Sequence, residues 1–135
     1  MTFKKITISA ILFICIATFS GCQSDESQLD QKNPMETGRR FVENLLKGDF
    51  ASVKPILSSN ETNNSSLNSF TLFYASVSPE LKSENAIRSW EMEKWEEKDE
   101  NNITMIVNHE MLSQPLELSL KKTDGIWFIN FTHFP

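Results

Sequence analysis

His109 and His133 are the only imidazoles in a chain of 135 residues, and imidazole is the side chain best suited to shuttle protons near neutral pH or to hold a metal ion. Both fall on the apolar face of strands predicted in the C-terminal half. Two strands and two residues apart, they stand about 12 Å from one another on ordinary sheet spacing, too far to share one ion. The two cysteines, Cys15 and Cys22, lie at the other end of the sequence, so no metal centre and no cofactor is expected. His109 has Leu118 and either Trp90 or Met92 as expected strand neighbours, with Phe131 beyond Leu118. That sets a polar group among apolar ones at a candidate pocket mouth. A general base is one reading of His109, and a buried histidine satisfied by a hydrogen bond is the ordinary one.

The run "EMEKWEEKDE" holds Glu91, Glu93, Glu96, Glu97, Asp99 and Glu100. Paired carboxylates can act as acid and base, or bind calcium, when burial or geometry tunes them. This run lacks the Asp and Gly spacing of a calcium loop and falls where a solvated hairpin is expected, so a charged outer surface that discourages edge-to-edge pairing is the simpler account. Arg39 and Arg40 are adjacent on a predicted helix, where they either receive an anion or flank it in solvent. Trp127 alternates with Ile129 and Phe131 and reads as core. Trp95 has the opposite parity to Trp90 and Met92, so it faces outward or marks a bulge; facing outward, it is the candidate partner contact. No nucleophile elbow or glycine-rich phosphate loop occurs, and no catalytic residue is assigned.

Those residues are positioned by elements that the sequence announces unevenly. "NPMETGRRFVENLLKGDF" opens the folded part: Asn33 is a helix cap, Pro34 suits the first turn, and Glu36 completes a capping box. Met35, Phe41, Val42, Leu45 and Leu46 share one side, and Gly48 ends the helix. Asp49 caps a second, short segment that Pro55 kinks or restarts. Residues 58–66 read as loop, and Leu67 to Val77 as a helix ending before Pro79. Four strands follow. Asp124 and Gly125 form a two-residue hairpin turn, which pairs Thr123 with Ile126, Leu120 with Ile129, Leu118 with Phe131 and Leu116 with His133. Before it, Ile103, Met105, Val107, His109 and Met111 alternate. A loop over Leu112 to Pro115 then sets Met111 opposite Leu116 and Val107 opposite Leu120. The first strand runs roughly from Ile87 to Glu97, with its hairpin at "KDENN". Helices first and a meander afterwards predict an α+β fold, helices on one side of a curved, mostly antiparallel four-stranded C-terminal sheet.

The N-terminal residues have another character. Lys4 and Lys5 precede an apolar run from Ile6 to Phe19, and small residues lead to Cys22, the layout of a secretory signal too short for a comfortable bilayer span. "TFSGC" resembles a bacterial lipobox, with Phe19 where Leu is usual. The resemblance implies cleavage before Cys22 and acylation of its sulfur, and more than one acyl chain makes attachment stable. The implied product is an exported, membrane-anchored envelope lipoprotein, in the outer membrane if the cell has two. The organisation expected is a signal peptide over 1–21, a lipidated cysteine and tether over 22–32, about 18 Å long as a coil, and one domain over 33–135. Without Lys4 and Lys5 the net charge falls from −5 to about −7, which disfavours nucleic acid as a partner.

"ETGRRFVENLLKGDFASVKPILS" and "KKTDGIWFIN" are similar to the opening helices and last hairpin of small lipoproteins of the nuclear transport factor 2-like (cystatin-like) superfamily, in particular its lumazine-binding-like members. That resemblance implies a cone with a pocket between sheet and helices, used by some members for catalysis and by many for binding or oligomerisation. The expected function is a non-catalytic module that binds a protein or a small apolar ligand. The alternatives are an enzyme of the ketosteroid-isomerase kind, with His109 or a buried glutamate as base, and a self-associating structural component.

Overall fold

The computed structural model describes residues 31–87 and 89–133. Within them the chain is α+β: helices come first, then a four-stranded antiparallel sheet in the order β1-β2-β3-β4. Residues 1–30, with Cys15, Cys22 and the expected signal and lipidation site, lie outside the described residues.

Helix α1 (Pro34–Lys47) begins as its sequence predicts. Asn33 Oδ1 accepts the N–H groups of Met35 at 2.9 Å and Glu36 at 3.3 Å, satisfying donors that the first turn cannot pair. Glu36 gives its carboxylate to Arg39 rather than closing a capping box. Thr37, Gly38, Phe41, Val42, Leu45 and Leu46 are buried, whereas Met35, expected on that face, is exposed. Gly48 ends the helix at φ 77, with Asp49 N–H on the Asn44 carbonyl and Gly48 N–H on that of Leu45, the two bonds of a Schellman ending. Asp49 caps the short α2 (Phe50–Val53), and Pro55 converts the chain to a 3₁₀ turn over Lys54–Ile56.

Helix α3 spans Glu61–Ser76, so it takes in most of the stretch expected to be loop. Asn60 starts it by accepting the Asn63 N–H at 2.8 Å, a cap hidden in a polar run where apolar periodicity has no purchase. A further helix, α4 (Pro79–Ile87), occupies a stretch to which the sequence reading assigns no element and reaches Ile87, where the first strand was expected to begin; Pro79 is tolerated at its first position.

Strand β1 (Glu91–Asp99) pairs with β2 (Asn102–Asn108), β2 with β3 (Leu116–Thr123), and β3 with β4 (Ile126–His133). The last hairpin keeps the expected register from Thr123↔Ile126 to Leu118↔Phe131, with Asp124 at φ 52 and Gly125 at φ 76 as a two-residue turn of this hand requires. A bulge then shifts His133 from Leu116 to Glu117. The middle pairing differs from expectation by four residues. Val107 faces Leu116, Met105 faces Leu118, and Ile103 faces Leu120. A shift of four preserves the buried face, so alternation alone cannot choose between the two registers. The expected register would set Ile103 opposite Asp124 in the turn. The observed one sets it opposite Leu120 in the core and leaves an eight-residue connection after Val107.

In β1 a bulge between Met92 and Lys94 restores Trp95 to the inner face, opposite Met105. Trp90, Met92 and Trp95 all pack, half-buried, against the core. That core lies between sheet and helices: Met105, Leu118, Leu120 and Ile129 from the strands meet Phe41, Val42, Leu45, Val53 and Phe70 from the helices, all fully buried. Phe41 meets Phe131 edge-on at 5.5 Å.

The outer edge of β4 is covered by the helical part of the chain. Gln31 exchanges two hydrogen bonds with Trp127, Ser58 N–H reaches the Ile129 carbonyl at 2.9 Å, and Asn63 Oδ1 accepts the Phe131 N–H at 3.0 Å. Edge groups that could template another strand are thereby used inside the domain. Contacts reach back to Gln31, a residue expected in the tether.

Candidate functional site

The sheet has two distinct ends. Both hairpin turns, at 100–101 and 124–125, lie at one end, where Lys122 N–H donates to the Asn101 carbonyl at 2.9 Å. The connection from β2 to β3 lies at the other, and two depressions open there. His109 organises that connection. Its carbonyl accepts the Leu112 N–H at 2.9 Å and its Nδ1 accepts the Met111 N–H at 3.2 Å. An accepting Nδ1 puts the proton of the neutral ring on Nε2. Pro115, which has no N–H to give a ladder, stands just before β3.

Beyond that turn, Leu112, Ser113, Gln114, Pro115 and Leu116 meet Ser69 and Phe73 of α3 around a cavity of about 280 Å³. Its walls combine two aliphatic side chains, a proline ring and a phenyl ring with two hydroxyls and one amide. No ionisable side chain lines it. The second depression, about 250 Å³, is bordered by Ser89, Glu91, Asn108, His109 and Glu110. It is polar, and it is the place where an imidazole and carboxylates come near each other.

Of the residues expected to form a pocket, Trp90 and Met92 are half-buried against the core, His109 is buried in the connection, and Leu118 and Phe131 are packed inside the core. Leu118 lies between Met105 and Phe131 and is not a strand neighbour of His109. Neither Leu118 nor Phe131 lines the two cavities just described. Trp95 is not an outward indole: it faces the core side, and its Nε1 donates to Glu97 at 3.3 Å. The residues that do shape the apolar cavity lie largely in a loop, which carries no periodicity to mark them. The available signal was Leu112 and Pro115, apolar residues inside a predicted loop.

The acidic run is spread along β1 and its turn, exposed. Glu96 pairs with Lys94 at 2.6 Å, which holds its carboxyl below the ordinary value. Asp99 accepts the Asn101 N–H at 2.8 Å, and that bond, with the amide of Asn102, lowers it too. Glu93 takes the Asn108 amide at 2.8 Å. Carboxyls pushed downward are poor proton donors at neutral pH, the reverse of what a general acid needs. Arg39 is held between Glu36 at 2.6 Å and Glu43 at 2.9 Å on its own helix. Arg40 borders a third depression with Gln31, Ser52 and Ile56. Among the described residues no three His, Cys, Asp or Glu side chains cluster as metal ligands, and no helix is long and apolar enough to cross a membrane.

The chain matches no known protein family, no curated protein and no solved structure. Its chemistry is therefore argued from its own residues.

Proposed function

We propose that this chain is a membrane-anchored lipoprotein of the bacterial envelope whose domain takes up an apolar group without transforming it. One observation carries the binding half of this reading: the cavity between α3 and the β2–β3 connection is walled largely by apolar groups and has no ionisable residue on its walls. Such a site gains free energy from apolar burial, at roughly 25 cal/mol per Å², and uses two hydroxyls and an amide to orient its occupant. It has no group placed to exchange a proton. The anchoring half rests on the lipobox-like "TFSGC", with Cys22 as the acylated residue and an acyl anchor in the outer membrane where there are two membranes. The order of helices and then an antiparallel meander supports placing the domain with the nuclear transport factor 2-like lipoproteins.

A second reading has its own support. His109 shares the polar depression with Glu91 and Glu110, the pairing that an isomerase-like proton transfer would use.

An uncharged naphthylamine probe separates the two. The binding reading expects saturable fluorescence enhancement that Leu112→Glu abolishes and Glu91→Gln, in the polar depression, leaves intact. Absence of saturable binding, or loss only with Glu91→Gln, overturns it. Mass spectrometry of the native protein tests the anchor, which requires an N-terminal diacylglycerol-modified Cys22.

A further inference from the structure

The place of Gln31 in the fold, together with the direction of the sheet, bears on which end of the domain an anchor on residue 22 would hold. Gln31 is tied to Trp127 by its own carbonyl, which accepts the Trp127 N–H at 2.9 Å, and by Nε2, which donates to the Trp127 carbonyl at 3.1 Å. Trp127 is the second residue after the Asp124–Gly125 turn, so Gln31 sits at the hairpin end. The apolar cavity lies at the opposite end, where β3 begins at Leu116. Strand β3 has 8 residues and separates the two ends by about 23 Å.

Between Cys22 and Gln31 there are about nine residue steps, spanning at most about 32 Å when fully extended. A coil of that length spans about 17 Å on average. To invert the domain, the chain would have to run the length of the sheet, about 23 Å, beyond the average span of such a coil. Holding the hairpin end down asks for no such stretch.

We propose that the hairpin end faces the lipid surface and that the apolar cavity opens away from it, so that its occupant arrives from the aqueous side. This rests on the reading of Cys22 as the acylated residue. The lipid-facing end carries Lys32, Lys98, Lys121 and Lys122 beside Asp99, Glu100 and Asp124, a near balance of sign. Attachment rather than charge therefore sets the orientation, which should survive high salt.

Two features of the sequence make the test clean. An acylated Cys22 has no free thiol, and the described residues contain no cysteine. Thr123→Cys at the hairpin end and Ser113→Cys at the cavity end, both exposed positions, are made in the full chain, produced with its own N-terminal segment and reconstituted into vesicles. Each is labelled with a thiol-reactive fluorophore and exposed to a lipid carrying a headgroup nitroxide. The expected result is quenching several-fold stronger at residue 123 than at 113, retained in 1 M salt and diminished when about twenty Gly-Ser residues are inserted before Gln31. Equal or reversed quenching of the two variants, with the parent chain resisting thiol labelling, overturns the orientation alone. Labelling of the parent at Cys22 overturns the anchor and the orientation together.

Discussion

Asn63 joins the two halves of the fold through a single amide. Only 1% exposed, it donates to the Ser58 carbonyl at 2.8 Å and to Asn130 Oδ1 at 3.0 Å, and accepts the Phe131 N–H at 3.0 Å. Removing it strands a buried backbone donor, and an unsatisfied buried group costs about 1–3 kcal/mol. Asn63→Ala should therefore lower the unfolding free energy in urea by about 2–3 kcal/mol, whereas Asn60→Ala, which removes the α3 cap, should cost about 1 kcal/mol. Similar losses in the two variants would refute the edge-sealing role. In the sequence both are merely asparagines in a polar run. Composition marks that run as loop, and only the arrival of β4 makes one of them core.

Packing between elements places Gly48 under similar constraint. Its φ of 77 suits glycine, and a Cβ there would come within 2.7 Å of Tyr74 Cζ; the Tyr74 hydroxyl donates to the Lys47 carbonyl at 2.9 Å. Gly48→Ala should cost about 2–3 kcal/mol, the left-handed backbone supplying about 1 kcal/mol and the ring contact the rest. In a Tyr74→Ser background the same change should cost about 1 kcal/mol, a coupling that a double-mutant cycle by denaturant unfolding reads directly. Equal costs in the two backgrounds would show that the ring contact is immaterial. The helix end was legible because Lys47-Gly48-Asp49 carries its own stop signal. The tyrosine that occupies the space beside it, 26 residues on, was not. The same division holds in the sheet: Asp124-Gly125 set the last hairpin by local turn chemistry, whereas the β2–β3 register depended on aligning Ile103 with Leu120 and Ile129 across three strands.

At the scale of the whole molecule, exposed carboxylates give the domain an acid limit. Glu36 is held below its ordinary value first by the hydrogen bond from Arg39, Asp49 by those from Ser52, Glu96 by Lys94, and Asp99 by the Asn101 N–H. Each group binds its proton less readily folded than unfolded. Their stabilisation is thus fully present above the ordinary values of 3.8 and 4.5 and is lost as pH falls through the lower folded values. Thermal melts should show a plateau above about pH 5 and a decline below about pH 4. Asp49→Asn should keep the cap and the neutral-pH melting temperature but shallow that decline; an unchanged acid limb would exclude Asp49 from it. By itself the sequence determined the order of helices before strands, both ends of α1 and the turn of the last hairpin, because caps, turn residues and alternation act over a few neighbouring residues. The proposed acylation of Cys22 likewise rests on a local pattern, "TFSGC". Tertiary structure alone decided the β2–β3 register, the extent of α3, the inward turn of Trp95 and the location of the apolar cavity. Each depends on which distant surface a residue meets, and alternation repeats every two residues whichever partner lies opposite.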